Sequence, residues 1–379
     1  MRITIIGGGP SGLYFAILMK KLDPGNEISV YERDGPDDTF GWGIVFSDQT
    51  FSYLQDNDFE TYKEIIGSCA TWDNVDVALR GQRVTIRGNK FSGIGRLKFL
   101  NILHARCRSL GVELRFHDNV TDLDLLEPSD LVVGADGVNS TVRRLNAEFF
   151  KPSLDTRLNK YIWLGTHKLF DALTLTFREN EAGQFAAHSY KFNDTTSTFI
   201  VECGEDTWDR AGFAYKSDPE TCRYLEEVFA EDLAGEEMLS NNFVRWFNFT
   251  LVKNTRWRHK NVVLLGDALH TAHFSIGSGT KLAVEDSIAL ATCFHKTELV
   301  DEALAEFERL RKPVIEQYQN AAHASLLLFE EMKENMDMEP IPLAYKLMTR
   351  SKRIDYEKLK RRDPQFIEAY EGWREHHRV

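Results

Sequence analysis

The apolar positions at the start of the chain run together and then stop abruptly. Ile3, Thr4, Ile5 and Ile6 form a β-branched block ending in Gly7-Gly8-Gly9-Pro10-Ser11-Gly12, after which Leu13, Phe15, Ile17 and Leu18 follow helical spacing. The pattern predicts a buried strand, a tight turn and a helix. A second apolar run, Ile28-Ser29-Val30-Tyr31, predicts another strand that closes on Glu32-Arg33. With an acid about twenty residues past the first glycine, this order is that of a dinucleotide-binding βαβ unit. Gly7 makes the turn, Gly9 admits a pyrophosphate to the backbone, and Gly12 lets helix pack on strand. The helix start, with Pro10 and Ser11, offers free amides to phosphates. Glu32, followed by Arg33, is placed to accept hydrogen bonds from a ribose diol. The unit suits NAD and FAD equally.

Helical spacing recurs from Asp48 to Ile66, and alternation of Val75, Val77 and Leu79 with Val84 and Ile86 around Arg80-Gly81 predicts a hairpin. Gly95-Arg96 opens a helix with Leu97, Leu100, Leu103 and Cys107 on one face. A cation in a first turn opposes the macrodipole, so Arg96 points to an anionic partner. Further strands are expected at Val112 to Phe116 and at Leu131-Val132-Val133, the latter ending in Gly134-Ala135-Asp136-Gly137. Ligands gather where parallel strands leave a sheet. From about Ala147 to Thr255 the texture becomes alternating strands, at Tyr161 to Gly165, Leu173 to Phe177, Phe185 to Phe192 and Ser197 to Glu202, with a helix near Pro219 to Phe229. That reads as a largely antiparallel sheet inserted into the nucleotide lobe. The first texture returns at Asn261 to Leu265, which ends in Gly266-Asp267, and helices are expected from about Leu282 to Lys296 and Glu302 to Glu331. The expected fold class is α/β. Residues 1–70, 91–150 and 255–335 form a discontinuous nucleotide-binding domain, 71–90 and 151–254 a substrate domain, and 336–379 a C-terminal helical tail.

A chain of 379 residues, 42% hydrophobic, suffices for more than one lobe. Its net charge of −12 argues against nucleic acid as a partner. The five cysteines are scattered, with no metal-ligand or disulfide spacing. Met1 leads straight into the first strand and no apolar run is long enough to span a bilayer, so no membrane partner and a cytoplasmic location are expected.

Three glycine-acid turns, Gly7 to Gly12 with Glu32, Asp136-Gly137 and Gly266-Asp267, together resemble the single-component flavoprotein aromatic hydroxylases, the group A FAD monooxygenases. The runs Phe40-Gly41-Trp42-Gly43-Ile44-Val45-Phe46, Lys160 to Thr166 and Gly266 to Lys281 look like the branch that takes in salicylyl-CoA 5-hydroxylase, 2-aminobenzoyl-CoA monooxygenase and a violacein-pathway hydroxylase. The resemblance implies a Rossmann-like FAD-binding lobe of the hydroxybenzoate-hydroxylase (PHBH) type carrying an inserted β-sheet substrate domain. It implies FAD as cofactor, NADH or NADPH and O2 as co-substrates, and oxygen transfer from a flavin C4a-hydroperoxide to an electron-rich aryl-CoA ring. Salicylyl-CoA to gentisyl-CoA is the leading expectation. By the same resemblance Gly7, Gly9, Gly12, Glu32, Arg96, Asp136, Gly137, Gly266 and Asp267 contact FAD. Where the wider family has proline after the third turn, this chain has His273-Phe274, so general substrate contacts do not transfer.

Such chemistry needs a dry, apolar pocket. Val45, Phe46 and Phe274 are candidate walls, Gly43 lies in a segment shaped to pass something flat, and the amides at Gly277, Gly279 and Thr280 would steady an anionic flavin. His273 is the candidate catalytic residue, accepting a proton from a ring OH or NH2 group, with a neutral histidine packed beside the flavin as the other reading. The basic clusters containing Arg350 and Arg353 are candidates for the CoA phosphates, and a homodimer would let a neighbouring subunit present them. An indole-derived substrate, a flavin-free binding protein on the same lobe and an NAD-dependent dehydrogenase remain as alternatives. No metal is expected.

Overall fold

The computed structural model describes residues 1–241 and 245–377. The β-branched blocks become the centre of a six-stranded sheet. In spatial order its strands are Arg258–His259, Val262–Leu264, Leu131–Gly134, Arg2–Ile6, Glu27–Tyr31 and Glu113–Arg115. All pairings are parallel except that of Arg258–His259 with Val262–Leu264. Helices Pro10–Leu22, Arg96–Ser109 and Gly279–Lys296 cover this sheet, and Ile3, Ile5, Phe15, Leu103, Val133, Leu264 and Val284 fill the core between them.

The alternating stretches form a second sheet of eight strands. Strands Pro152–Thr166, Ser197–Cys203, Gly183–Lys191 and Leu173–Asn180 pair antiparallel in that order. Val75–Leu79 extends the sheet in parallel with Leu173–Asn180, and Gln82–Ile86 closes its edge. Phe247–Asn254 and Met238–Leu239 also pair with Pro152–Thr166. Successive side chains alternate between faces. Ile162, Leu164, Phe185, Phe199 and Val201 therefore pack with Leu225 and Phe229 on one face. The other face carries Tyr161, Trp163, His188, Tyr190, Thr198 and Glu202. At one end of this second face, Val77, Leu175 and Phe177 meet Phe329, Leu343, Leu347 and Ile367. The C-terminal helices Pro340–Thr349, Tyr356–Arg362 and Pro364–His376 are thus packed structure, not a loose tail.

Two features differ from the sequence expectation. The Phe40–Phe46 segment contributes a strand, Gly43–Ser47, to a small third sheet with Phe91–Gly95 and Ala70–Trp72. The helical stretch from Asp48 to Ile66 is two helices, Asp48–Asn57 and Phe59–Ile66, broken at an extended Asp58. Asp58 is buried, and its carboxylate accepts from Arg106 Nε and Nη2 at 3.0 and 2.8 Å, Lys21 Nζ at 2.8 Å and Thr61 Oγ1 at 2.5 Å. These partners sit on three different helices, so periodicity along one stretch could not reveal the break.

Burial alone would raise the Asp58 carboxyl, but the hydrogen bonds from Arg106, Lys21 and Thr61 outweigh it and hold it at about 2. A carboxyl depressed on folding stabilises above its unfolded pKa. The contribution is therefore complete above about pH 4 and is lost as pH falls through about 2. Asp58→Asn is expected to lower the unfolding free energy at pH 7 by about 2 kcal/mol, measured by urea denaturation, with the gap from wild type closing under acid.

Candidate active site

The three glycine turns leave the parallel sheet at the same edge and touch. Gly7 adopts φ +108°, and a Cβ there would stand 2.2 Å from the Ala135 carbonyl oxygen and 2.7 Å from the Asp136 nitrogen. The Gly7 N–H donates to Tyr31 O at 2.8 Å, and Ala135 N–H to Ile6 O at 2.7 Å. A Cβ on Gly266 would lie 2.6 Å from Ser11 Oγ. Glu32 leans over the first turn, its carboxylate accepting from the Gly8 N–H at 2.7 Å and the Asp34 N–H at 3.0 Å. Residues 130 to 260 positions apart in the chain thereby share one cleft.

Within this cleft several polar groups lack protein partners. The helix Pro10–Leu22 starts with proline, and its Ncap residue Gly9 has no atom within 4 Å of where a Cβ would sit. Gly137 and Gly279 are open in the same sense. Gly279 begins an 18-residue helix after the left-handed Gly277, and the first-turn amides of Gly279 and Thr280 have no intrahelical acceptor. Arg96 sits in the first turn of its helix with its Nε buried and unpaired. Burial pulls its pKa down, and Asp267 pulls it back up. Asp267 itself projects into the cleft, where solvent reaches it, while protein crowds it on the other sides. That crowding raises its carboxyl, against the opposing pull of His270 and Arg96. The turn is braced from behind: His270 Nε2 meets Asp286 Oδ2 at 2.7 Å, and Arg311 donates to Asp286 Oδ1 at 2.9 and 3.0 Å. An orphaned guanidinium nitrogen, bare glycines and two first-turn amides without an intrahelical acceptor fit a long diphosphate-bearing group such as FAD.

Beyond Asp267 lies a buried polar cluster on the inward face of the second sheet. Tyr161 spans the gap; burial, then Asp267 and Glu202, push its hydroxyl up to about 12. Glu202 is 1% exposed and accepts from Asn159 Nδ2 at 2.9 Å. His188 Nε2 is 3.5 Å and His273 Nε2 3.9 Å from its two oxygens. Phe274 packs over this corner against Tyr161, His188 and His273, with Phe249 beyond. Its burial drives His273 down to about 4, the nearby Glu202 notwithstanding.

Several expected site residues are placed otherwise. The Asp136 carboxylate accepts from Ser140 Oγ at 2.5 Å and from the Thr141 and Val142 N–H groups at 2.6 and 3.1 Å, so it caps a helix and leaves only the backbone at Gly137 facing the cleft. Gly43 gives its N–H to Thr198 Oγ1 and its carbonyl to Tyr190, both at 2.8 Å, and packs on Phe192. It fastens the segment to the sheet and has no polar group left for a cofactor. Phe46 is core, between Phe51 and Phe99. Val45 does reach the cleft, against Gly277. Arg350 is not a surface cation: its guanidinium donates to Ser325 Oγ and Ser275 O, both at 2.6 Å, and to Leu347 O. Arg353 and Arg33 are exposed, Arg353 against the Tyr318 ring. His188, Glu202, Asn159 and Tyr161 went unnoticed in the sequence. The available signal was a histidine and a glutamate at inward positions of otherwise apolar strands.

Residues 111–322 match the family described as FAD binding domain. Salicyloyl-CoA 5-hydroxylase of a Streptomyces species is 40% identical over 98% of this chain and 74% of its own length. Protodeoxyviolaceinate monooxygenase of Chromobacterium violaceum is 33% identical, covering 89% of this chain and 91% of that protein. Among solved structures, the tetrameric form of 2-methyl-3-hydroxypyridine-5-carboxylic acid oxygenase superposes with a TM-score of 0.72 over 95% of this chain and 97% of that one, at 18% identity. That last likeness is one of fold.

Arg96 separates the fold from the cleft. Arg96→Met removes a buried, incompletely paired cation, so the flavin-free protein should be as stable as wild type or more so, while FAD affinity falls about 10- to 100-fold. Flavin fluorescence titration and thermal melting measure the two.

Proposed function

The chain belongs to the FAD-dependent aromatic monooxygenases, and from that premise we propose that it hydroxylates the ring of an aryl-CoA thioester, salicylyl-CoA at its 5-position, with NADH or NADPH and O2. The likeness to the Streptomyces salicyloyl-CoA 5-hydroxylase, 40% over nearly the whole chain, carries this reading. The turn Gly7-Gly9-Pro10-Ser11-Gly12 with Arg96 would hold the phosphates of FAD, Glu32 and Arg33 its ribose side, the Gly137 and Gly266-Asp267 turns its middle, and the Gly277, Gly279 and Thr280 backbone its ring. Bound FAD supplies the redox chemistry, passing reducing equivalents from the nicotinamide and one oxygen atom from O2 to the ring.

The protein's own contribution is position and exclusion of water. Tyr161, Phe249, Phe274 and Phe329 wall the corner with aromatic faces. An electron-rich ring would lie against them with its OH turned to the polar cluster of Glu202, His188 and His273. The thioester's nucleotide would then trail outward to exposed cations, of which Arg353 and Lys352 are the candidates now that Arg350 is internal. No helix among the described residues is long and apolar enough to cross a membrane.

Salicylyl-CoA incubated with the FAD-loaded protein, NADH and O2 should yield a thioester heavier by one oxygen atom, identified as the 2,5-dihydroxy isomer by mass spectrometry after hydrolysis. NADH oxidation that this thioester does not stimulate, or that a violacein-precursor indole stimulates more, would refute the substrate. Arg353→Glu should raise KM for the thioester about three- to tenfold at low salt, an effect that fades near 0.5 M salt as screening shortens to about 4 Å.

A further inference from the structure

The polar cluster contains a hydrogen-bond chain that fixes the direction of every donor in it. Arg350 Nε can only donate, and its hydrogen goes to Ser325 Oγ at 2.6 Å. Ser325 Oγ lies 2.7 Å from Ser275 Oγ, which lies 2.8 Å from His273 Nδ1. The Ser275 backbone N–H also points at His273 Nδ1, at 3.4 Å. A backbone N–H cannot accept, so Nδ1 presents a lone pair and the single proton of the neutral imidazole sits on Nε2. That Nε2–H faces Glu202 Oε1. Glu202 Oε1 also receives Asn159, whereas Glu202 Oε2 is buried with no hydrogen-bond partner, although His188 Nε2 lies 3.5 Å away.

We propose that Glu202, not His273, takes the proton of the substrate's ring hydroxyl, and that His273 is a positioning residue locked by the Arg350–Ser325–Ser275 chain as a donor toward Glu202. The inference rests on the reading above that the substrate ring carries such a group. As the ring is attacked, its O–H bond breaks, the proton passes to Glu202 Oε2, and the electron pair stays on the ring oxygen, enriching the para carbon. The protonated acid then stands 3.5 Å from His188 Nε2. Phe274 is half-buried over Tyr161 and His188, and the substrate ring would lie against its exposed side. His273 offers the ring hydroxyl no lone pair directly, because Nε2 bears the hydrogen and the bare Nδ1 is covered by the Ser275 hydroxyl and N–H. The charged and titratable groups around Glu202 are His188 on the neighbouring strand, Tyr161 across the sheet, Cys203 next in the chain and His273 from the loop, with Arg157 and Arg350 acting on His273. Burial would raise the Glu202 carboxyl, but His188 first and then His273 and Asn159 hold it below its ordinary value, so it is ionised at neutral pH.

The test uses the full FAD-loaded chain. Glu202→Gln should slow product formation from salicylyl-CoA at pH 7 about 100-fold, with substrate binding to the oxidised protein changed less than about threefold. The lost rate should return about tenfold per pH unit as the free hydroxyl ionises. His273→Gln, which restores an N–H toward Glu202, should stay within about fivefold of wild type. Nitrogen-15 correlation spectra of the wild type, with His273 identified by its loss in the variant, should show Nδ1 bare and Nε2 protonated. A Glu202→Gln rate within threefold of wild type, a His273→Gln rate as slow as Glu202→Gln, or a proton on Nδ1 overturns the proposal. Retained flavin and near-ultraviolet circular dichroism show whether Glu202→Gln folds; if it does not, the His273 variant and the tautomer decide. Failure of the wild type to hydroxylate salicylyl-CoA refutes the substrate instead, and the variants are then compared on 2-aminobenzoyl-CoA while the tautomer readout stands.

Discussion

The approach of the first turn to the end of the parallel strand Leu131–Gly134 is the constraint from which the cleft follows. Arg2–Ile6 and Leu131–Gly134 pair residue by residue, Ile5 with Val133 and Ile6 with Gly134, so both chains leave the sheet at one level. A side chain at Gly7 would meet the Ala135 carbonyl 2.2 Å away, and one at Gly12 would meet the Gly7 carbonyl at the same distance. Neither obstacle is a flexible side-chain tip, so the strain could be relieved only by parting the strands. With both glycines in place, the next strand, Val262–Leu264, brings Gly266 against Ser11. One cleft therefore runs across three strand ends, long enough for a cofactor that no single turn could hold.

The second sheet is joined to that cleft by interlocked glycines and tryptophans. A Cβ on Gly41 would strike the Trp163 ring at 2.6 Å, and one on Gly165 would strike Trp42 at 2.7 Å. Each indole lies on the other segment's bare backbone. Tyr190 and Thr198 then clasp both polar groups of Gly43. Because Trp163, Tyr190 and Thr198 share the inward face of their strands with Tyr161, His188 and Glu202, locking the segment also fixes the height at which those three face the nucleotide lobe. The strand register that orders the packing orders the polar groups.

How much of this the sequence disclosed follows the range of the interactions. The βαβ unit, the hairpin at Arg80-Gly81 and the helix opened by Arg96 are local patterns, and they appear within a residue or two of their expected places. The six-stranded order requires long-range pairing, and the glycine-acid turns marked only where three of its strands end. The break at Asp58 was hidden because its causes, Lys21 and Arg106, lie on other helices. Asp136 misled for a related reason: a carboxylate beside a glycine turn suits a ligand and a helix N-terminus equally, and here Ser140, Thr141 and Val142 claim it. Arg350 looked like surface charge within a basic run. Only the fold reveals that it turns inward to a serine pair while Arg353 stays outside.

The half-buried Arg350 and the buried Glu202 also bear on why charged groups are drawn inside here at all. Taking an ionised side chain out of water costs several kcal/mol even after relaxation, and well-packed apolar residues would stabilise such a core better. Among the described residues Arg350 has no carboxylate in hydrogen-bond contact and is satisfied by a serine hydroxyl and two carbonyls, leaving its charge largely uncancelled. Glu202 has one oxygen held and one free. Stability does not explain an arrangement that leaves both charges incompletely matched. Preorganised electrostatics does, because in a site of low polarisability a fixed charge acts over longer distances and needs no reorganisation when charge shifts on a bound ring. The C-terminal helix Pro340–Thr349, which ends at Arg350, is consequently part of the wall of the polar cluster. Its packing against Val77 and Phe177 holds Arg350 in that place.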